Sequence, residues 1–74
     1  MKIDFRQLTR DAGINMLQLA DEMVAAGHFS SRPTAYMTIQ NFNHGRGKSI
    51  KLDLLLWIRR RFNVDITDFL KYKQ

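Results

Sequence analysis

The chain has 74 residues, no cysteine, one proline, four glycines and a formal charge of +5. A chain this short is expected to be one domain, 1–74, burying only roughly 60–65% of its extended surface on folding, with no disulfide or thiolate metal site to staple a small core. Its 45% apolar content is too high for disorder. The longest apolar run, residues 54–58, falls far short of the roughly 18 residues of a membrane span, and no secretory signal follows Met1, so the expectation is a cytoplasmic binding module without a membrane partner.

Charge is unevenly placed. Residues 1–37 carry Lys2, Arg6, Arg10 and Arg32 against Asp4, Asp11, Asp21 and Glu22, and so balance. Residues 38–74 carry eight cations against Asp53, Asp65 and Asp68, which places the whole +5 in the second half. A one-sided basic balance favours a polyanion such as nucleic acid, or an acidic protein or lipid surface.

The pattern is helical throughout, with no convincing strand. Phe5, Leu8 and Ala12 recur at helical spacing, Ile3 packs beside them, and Gly13 ends the run as a left-handed cap. Asn15 and Gln18 read as a capping box for a second helix. Leu19, Ala20, Met23 and Val24 form its inner face, Asp21 and Glu22 lie outward, and Gly27 stops it. A third helix starts either at Ser30 or Ser31, with Pro33 tolerated in the first turn, or at Thr34 or Ala35 after a loop. Ala35, Ile39 and Phe42 make its buried stripe, and Tyr36, Met37, Thr38, Gln40, Asn41 and Asn43 flank or oppose it. Asn43-His44-Gly45-Arg46-Gly47 then forms a loop.

Ser49 is expected to cap a fourth helix whose buried stripe is Leu52, Leu55, Leu56, Ile58 and Phe62. Trp57 covers an edge, and Arg59, Arg60 and Arg61 wrap the outside, either as a solvated face or as phosphate contacts. Asn63 is a left-handed cap and Val64 an anchor beyond it. Asp65 with Asp68 opens a short last helix, where Ile66, Phe69 and Leu70 close the core. Residues 71–74 are a basic tail. The expected fold class is an all-α, compact bundle of four to five helices.

Catalytic constellations are nearly empty. His28 and His44 lie in loops with no ligand spacing between them. Gly45-Arg46-Gly47-Lys48 lacks the full spacing and the preceding strand of a phosphate loop. The sequence points to no enzyme, no cofactor and no metal. What remains is surface chemistry. An exposed short helix can enter the major groove, where Gln40 and Asn41 can pair with adenine, Thr38 can bond a base edge and Met37 can pack on a thymine methyl. The alternative is that Gln40 and Asn41 are ordinary solvated residues. Arg46, Lys48, Ser49 and Lys51 in the following loop are candidates for phosphate contacts.

The order of these features resembles the Cro/C1-type helix-turn-helix domain of phage repressors and related bacterial regulators. Ala12-Gly13-Ile14-Asn15 looks like the turn before that family's second helix, and Leu19-Ala20 like its Leu-Ala pair. Ile39-x-x-Phe42-x-x-Gly45 is similar to the core and terminal glycine of its recognition helix. Leu52, Leu55, Ile58 and Phe62-Asn63-Val64-Asp65, followed by Ile66, Phe69 and Leu70, match its closing pattern, so the likeness covers about residues 5–70. Two departures stand out. Met16 replaces the polar residue usual at the start of the second helix, and the stretch between Met23 and Ala35 exceeds the family's tight turn by roughly nine residues.

The resemblance implies a lambda-repressor-like fold and a small phage-type or bacterial transcriptional repressor. Its partner would be a two-fold double-stranded DNA operator, bound as a homodimer. The longer connection brings Arg32 and Thr34 into consideration as backbone contacts. With no separate dimerisation domain, Phe29, Trp57, Phe69 and Tyr72 are candidates for a dimer or partner surface, or else they finish a thin core. The rival reading is a protein-interaction module of the same fold, such as an antirepressor or an inhibitor of a host protein. A basic structural or RNA-associated protein has only the charge in its favour.

Overall fold

The computed structural model describes residues 2–65, 70 and 71. Lys2–Ile3 form a short strand, β1. Asp4 then caps α1 (Phe5–Ala12), its carboxylate accepting the amides of Arg6 and Gln7 at 3.2 and 3.4 Å. Gly13 ends that helix at φ 71°, where a side chain would be strained, and Ile14 N–H returns to the Thr9 carbonyl. The capping box of α2 (Met16–Ala25) is complete. The Asn15 side chain accepts the Gln18 amide and the Gln18 side chain accepts that of Asn15, each at 2.8 Å.

Of the two starts considered for the third helix, the earlier is found. Ser31 precedes α3 (Arg32–Asn43) in extended conformation and Pro33 sits in the first turn. Ser31 makes no side-chain cap to the backbone; its hydroxyl instead shares a hydrogen bond with that of Thr34 at 3.0 Å. The fourth helix, α4 (Leu52–Phe62), ends at Asn63 in the left-handed region (φ 52°), as its sequence suggested.

Four expectations change. Ser49 does not cap α4; Lys51 occupies that position. The buried stripe of α4 is Leu54 and Ile58, with Leu55, Trp57 and Phe62 half-buried against the core, while Leu52 is 65% exposed. The apolar run permits several helix phases. In the phase adopted, Ile50 packs on the core just before the helix and Leu52 faces outward. Ala12, placed inward by its spacing, is exposed.

The fourth change is at the ends. Leu70–Lys71 form a strand, β2, antiparallel to β1, with Ile3 opposite Leu70 and Lys2 opposite Lys71. A two-residue pairing between opposite ends of the chain has no local signature. Leu70, expected on a short last helix opened by Asp65 and Asp68, is thus in a strand instead. Ile66, Asp68 and Phe69 of that expected helix lie outside the described residues.

The four helices form a compact all-α bundle around one core. Ile3, Phe5 and Leu8 meet Leu19, Ala20 and Met23 of α2 and Ala35, Ile39 and Phe42 of α3. Phe5 and Phe42 meet edge to face, with ring centroids 6.3 Å apart. Each fully buried aliphatic or aromatic side chain stabilises by about 1.5–3 kcal/mol. Two exposed arginines bind α2 to its neighbours. Arg32 of α3 pairs with Asp21 at 2.6 and 2.8 Å, and Arg61 of α4 pairs with Glu22 at 2.5 and 3.2 Å.

Candidate nucleic-acid interface

Because Ala35, Ile39 and Phe42 point into the core, the helical period turns Met37 and its neighbours outward. Met37 is 66% exposed, and Thr38, Gln40 and Asn41 are half-buried beside it. Thr38 donates its hydroxyl hydrogen to the Thr34 carbonyl at 2.9 Å, so its oxygen faces outward as an acceptor only. The Asn41 carbonyl accepts the Arg46 amide at 2.7 Å, which folds the loop back over the end of α3.

This return creates an open groove of about 280 Å³ lined by Thr38, Asn41, Phe42, Arg46, Gly47, Lys48 and Ser49. Four residues singled out on two separate sequence segments are thereby adjacent: Thr38 and Asn41 from the helix, Arg46 and Lys48 from the loop. Ser49, rather than capping α4, joins them. Among the described residues no carboxylate lines the groove, and Arg46 and Lys48 are exposed. Lys51 is exposed at the start of α4, one residue beyond half-buried Ile50.

Gly47 makes the groove possible through close approach. A Cβ at this position would overlap Cδ1 and Cε1 of the Phe42 ring and lie 3.0 Å from its Cγ. Phe42 is buried and cannot withdraw into solvent. The loop backbone therefore rests directly on an aromatic ring anchored in the core.

Arg32 and Thr34 stand elsewhere. Arg32 is held by Asp21, whose hydrogen bond and negative charge raise the guanidinium pKa further above its ordinary value. Thr34 shares its hydroxyl with Ser31. Arg61 is similarly raised by its hydrogen bond and charge interaction with Glu22, and it also lies over the Phe62 ring at 5.2 Å. Arg59 and Arg60 are exposed, with no ion-pair partner among the described residues.

Phe29 and Trp57 are half-buried and pack against the core, and Trp57 meets the His28 ring edge to face at 5.5 Å. The longer connection between α2 and α3 is thus seated on α4 rather than projecting from the bundle. Phe69 and Tyr72 lie outside the described residues.

Asn43 is the residue that the sequence reading missed. Only 2% exposed, it accepts the Phe5 amide on Oδ1 at 2.8 Å and directs Nδ2 toward Met16 Sδ at 3.9 Å. It thereby joins the ends of three helices directly behind the groove. The signal was present: Ala35, Ile39 and Asn43 follow one another at intervals of four.

No family profile, curated protein or solved structure matches the chain.

Proposed function

We propose that the protein is a small sequence-specific DNA-binding regulator of the Cro/C1 helix-turn-helix type, with a lambda-repressor-like arrangement in which α3 enters the major groove. One observation carries this reading: the polar outer face of α3 runs into a groove formed by the loop that follows it, lined by Arg46 and Lys48 and by no carboxylate among the described residues. A helix with its side chains is about 10–12 Å across, matching the roughly 12 Å width of the major groove. Met37, Thr38, Gln40 and Asn41 read base edges, and Arg46, Lys48, Ser49 and Lys51 hold phosphates. Arg32 is better explained as a tether to α2 than as a phosphate contact.

Selection of bound duplexes from a random pool at fixed salt tests the reading. A recovered two-fold sequence, whose preference disappears in the Gln40→Ala/Asn41→Ala variant while residual binding persists, supports it. Absence of any duplex shift at low salt refutes it. The second reading, a protein-interaction module, is favoured by the exposed apolar side chains Leu17, Met37 and Leu52. Co-purification of one protein together with an empty duplex selection identifies that case.

A further inference from the structure

Two hydroxyl groups line the groove at the end of α3, those of Thr38 and Ser49, and their hydrogens are committed differently. Thr38 gives its own to the Thr34 carbonyl one turn earlier, at 2.9 Å. A hydroxyl carries one hydrogen and two lone pairs, so the Thr38 oxygen has only acceptance left to offer. The Ser49 side chain has no hydrogen-bond partner among the described residues and keeps its hydrogen available. Arg46 and Lys48 donate and cannot accept, and the Asn41 amide does both. Among the described residues lining the groove, Thr38 is thus the single acceptor-only side chain.

That asymmetry decides what each group can meet on a duplex. Phosphate oxygens accept hydrogen bonds, and so do N7 and O6 of guanine, N7 of adenine and O4 of thymine. Arg46, Lys48 and Ser49 fit all of these, and Thr38 fits none. The major groove offers donors at two places only, the N6 amine of adenine and the N4 amine of cytosine. A guanine O6 or thymine O4 placed opposite the Thr38 oxygen would bring lone pairs against lone pairs. To donate instead, the hydroxyl would have to abandon the Thr34 carbonyl.

Building on the DNA-binding reading above, we infer that Thr38 is a specificity-determining residue whose acceptor-only hydroxyl selects a base with an exocyclic amine. At the position it faces, adenine or cytosine is accepted and guanine or thymine is rejected. Asn41, beside it in the groove, pairs either way and imposes no such restriction. The positively charged side chains hold the polyanion, and the lone acceptor among them imposes the choice of base.

Duplexes selected from a random pool at one fixed salt concentration by wild type, Thr38→Val and Thr38→Ser test this. Valine keeps the shape of threonine without the oxygen, and serine keeps the oxygen without the methyl group. Wild type and Thr38→Ser recover adenine or cytosine at one position of the site. Thr38→Val loses that preference at that position and keeps the others. Thr38→Ala, a stronger helix former, removes the oxygen equally well if valine disturbs the helix. On the selected duplex, replacing the chosen base by its analogue without the exocyclic amine weakens wild-type binding by roughly 2- to 12-fold more than it weakens binding of Thr38→Val, the range of one neutral hydrogen bond.

The inference is overturned, with DNA binding left standing, if removing the oxygen changes no position of the recovered site. Guanine or thymine at the position that does change overturns it too, as does an analogue duplex that weakens wild type and Thr38→Val equally. An empty wild-type selection removes the DNA-binding reading and the role of Thr38 together.

Discussion

Replacing Asn43 with leucine isolates one buried hydrogen bond. The two side chains have the same number and branching of heavy atoms, so Asn43→Leu leaves no cavity, but it removes the acceptor that lies 2.8 Å from the Phe5 amide. That amide belongs to the first residue of α1 and has no partner within its own helix. Asp4 already serves Arg6 and Gln7, and Phe5 itself is 1% exposed, so no solvent replaces the lost acceptor. Leaving a buried donor unsatisfied costs about 1–3 kcal/mol. For a domain of this size each 1 kcal/mol lowers Tm by roughly 4–8 °C, so a loss of about 2 kcal/mol lowers it by roughly 8–16 °C. Thermal melts followed by circular dichroism measure the loss, and hydrogen exchange at the Phe5 amide reports whether that donor has been released. Met16→Leu is the companion variant: it removes only the weak sulfur contact and conserves volume, so it falls below about 1.5 kcal/mol. A melt of Asn43→Leu within about 1 °C of wild type, well inside the expected shift, with Phe5 exchange unchanged, refutes the role of Asn43 as the acceptor that the buried Phe5 amide requires.

Gly47→Ala forces the loop backbone away from the Phe42 ring. It destabilises by about 1–3 kcal/mol as an overpacking change, and amide chemical-shift changes concentrate at residues 42–50. Gly13→Ala, by contrast, meets no atom within 4 Å; its loss of about 1 kcal/mol in urea unfolding comes only from the left-handed backbone. On a selected duplex, Arg46→Ala/Lys48→Ala weakens binding across all sequences and reduces the slope of log K against log salt by about 2. Asp21→Asn releases Arg32, and the resulting small loss of stability shrinks as salt rises. Since pairing raises the Arg32 pKa, the ionic contribution is fully present below the ordinary arginine value and is lost only above it. The Tm difference from wild type therefore stays constant from about pH 7 to about pH 10.

Local chemistry made much of the fold readable. Gly13, Asn63 and the Asn15–Gln18 box mark helix ends because each solves the problem of unpaired backbone groups within a few residues. The phase of α4 was hidden because leucine, tryptophan and isoleucine occupy every position of residues 54–58, so that several faces are equally able to meet the core. The β1–β2 pair depends on residues at opposite ends of the chain and leaves no periodic trace. The groove was half legible. Thr38, Asn41, Arg46 and Lys48 were identified by type and order, but their adjacency depends on the Gly47–Phe42 approach. Asn43 looked like the start of a loop because its polar side chain masks its place on the buried stripe.

The pairing of Asp21 and Glu22 with Arg32 and Arg61 has a consequence for how the molecule meets a charged surface. Helix α2 discharges the arginine at the start of α3 and the last one of α4, whereas Arg46 and Lys48 keep their field uncompensated by any ion pair among the described residues. The groove therefore meets a polyanion with cations whose attraction no carboxylate among its described lining residues already engages, whereas Arg32 must first give up Asp21 to do the same. Two surface ion pairs that add little to stability thus decide which arginines are available to a charged partner and which are not.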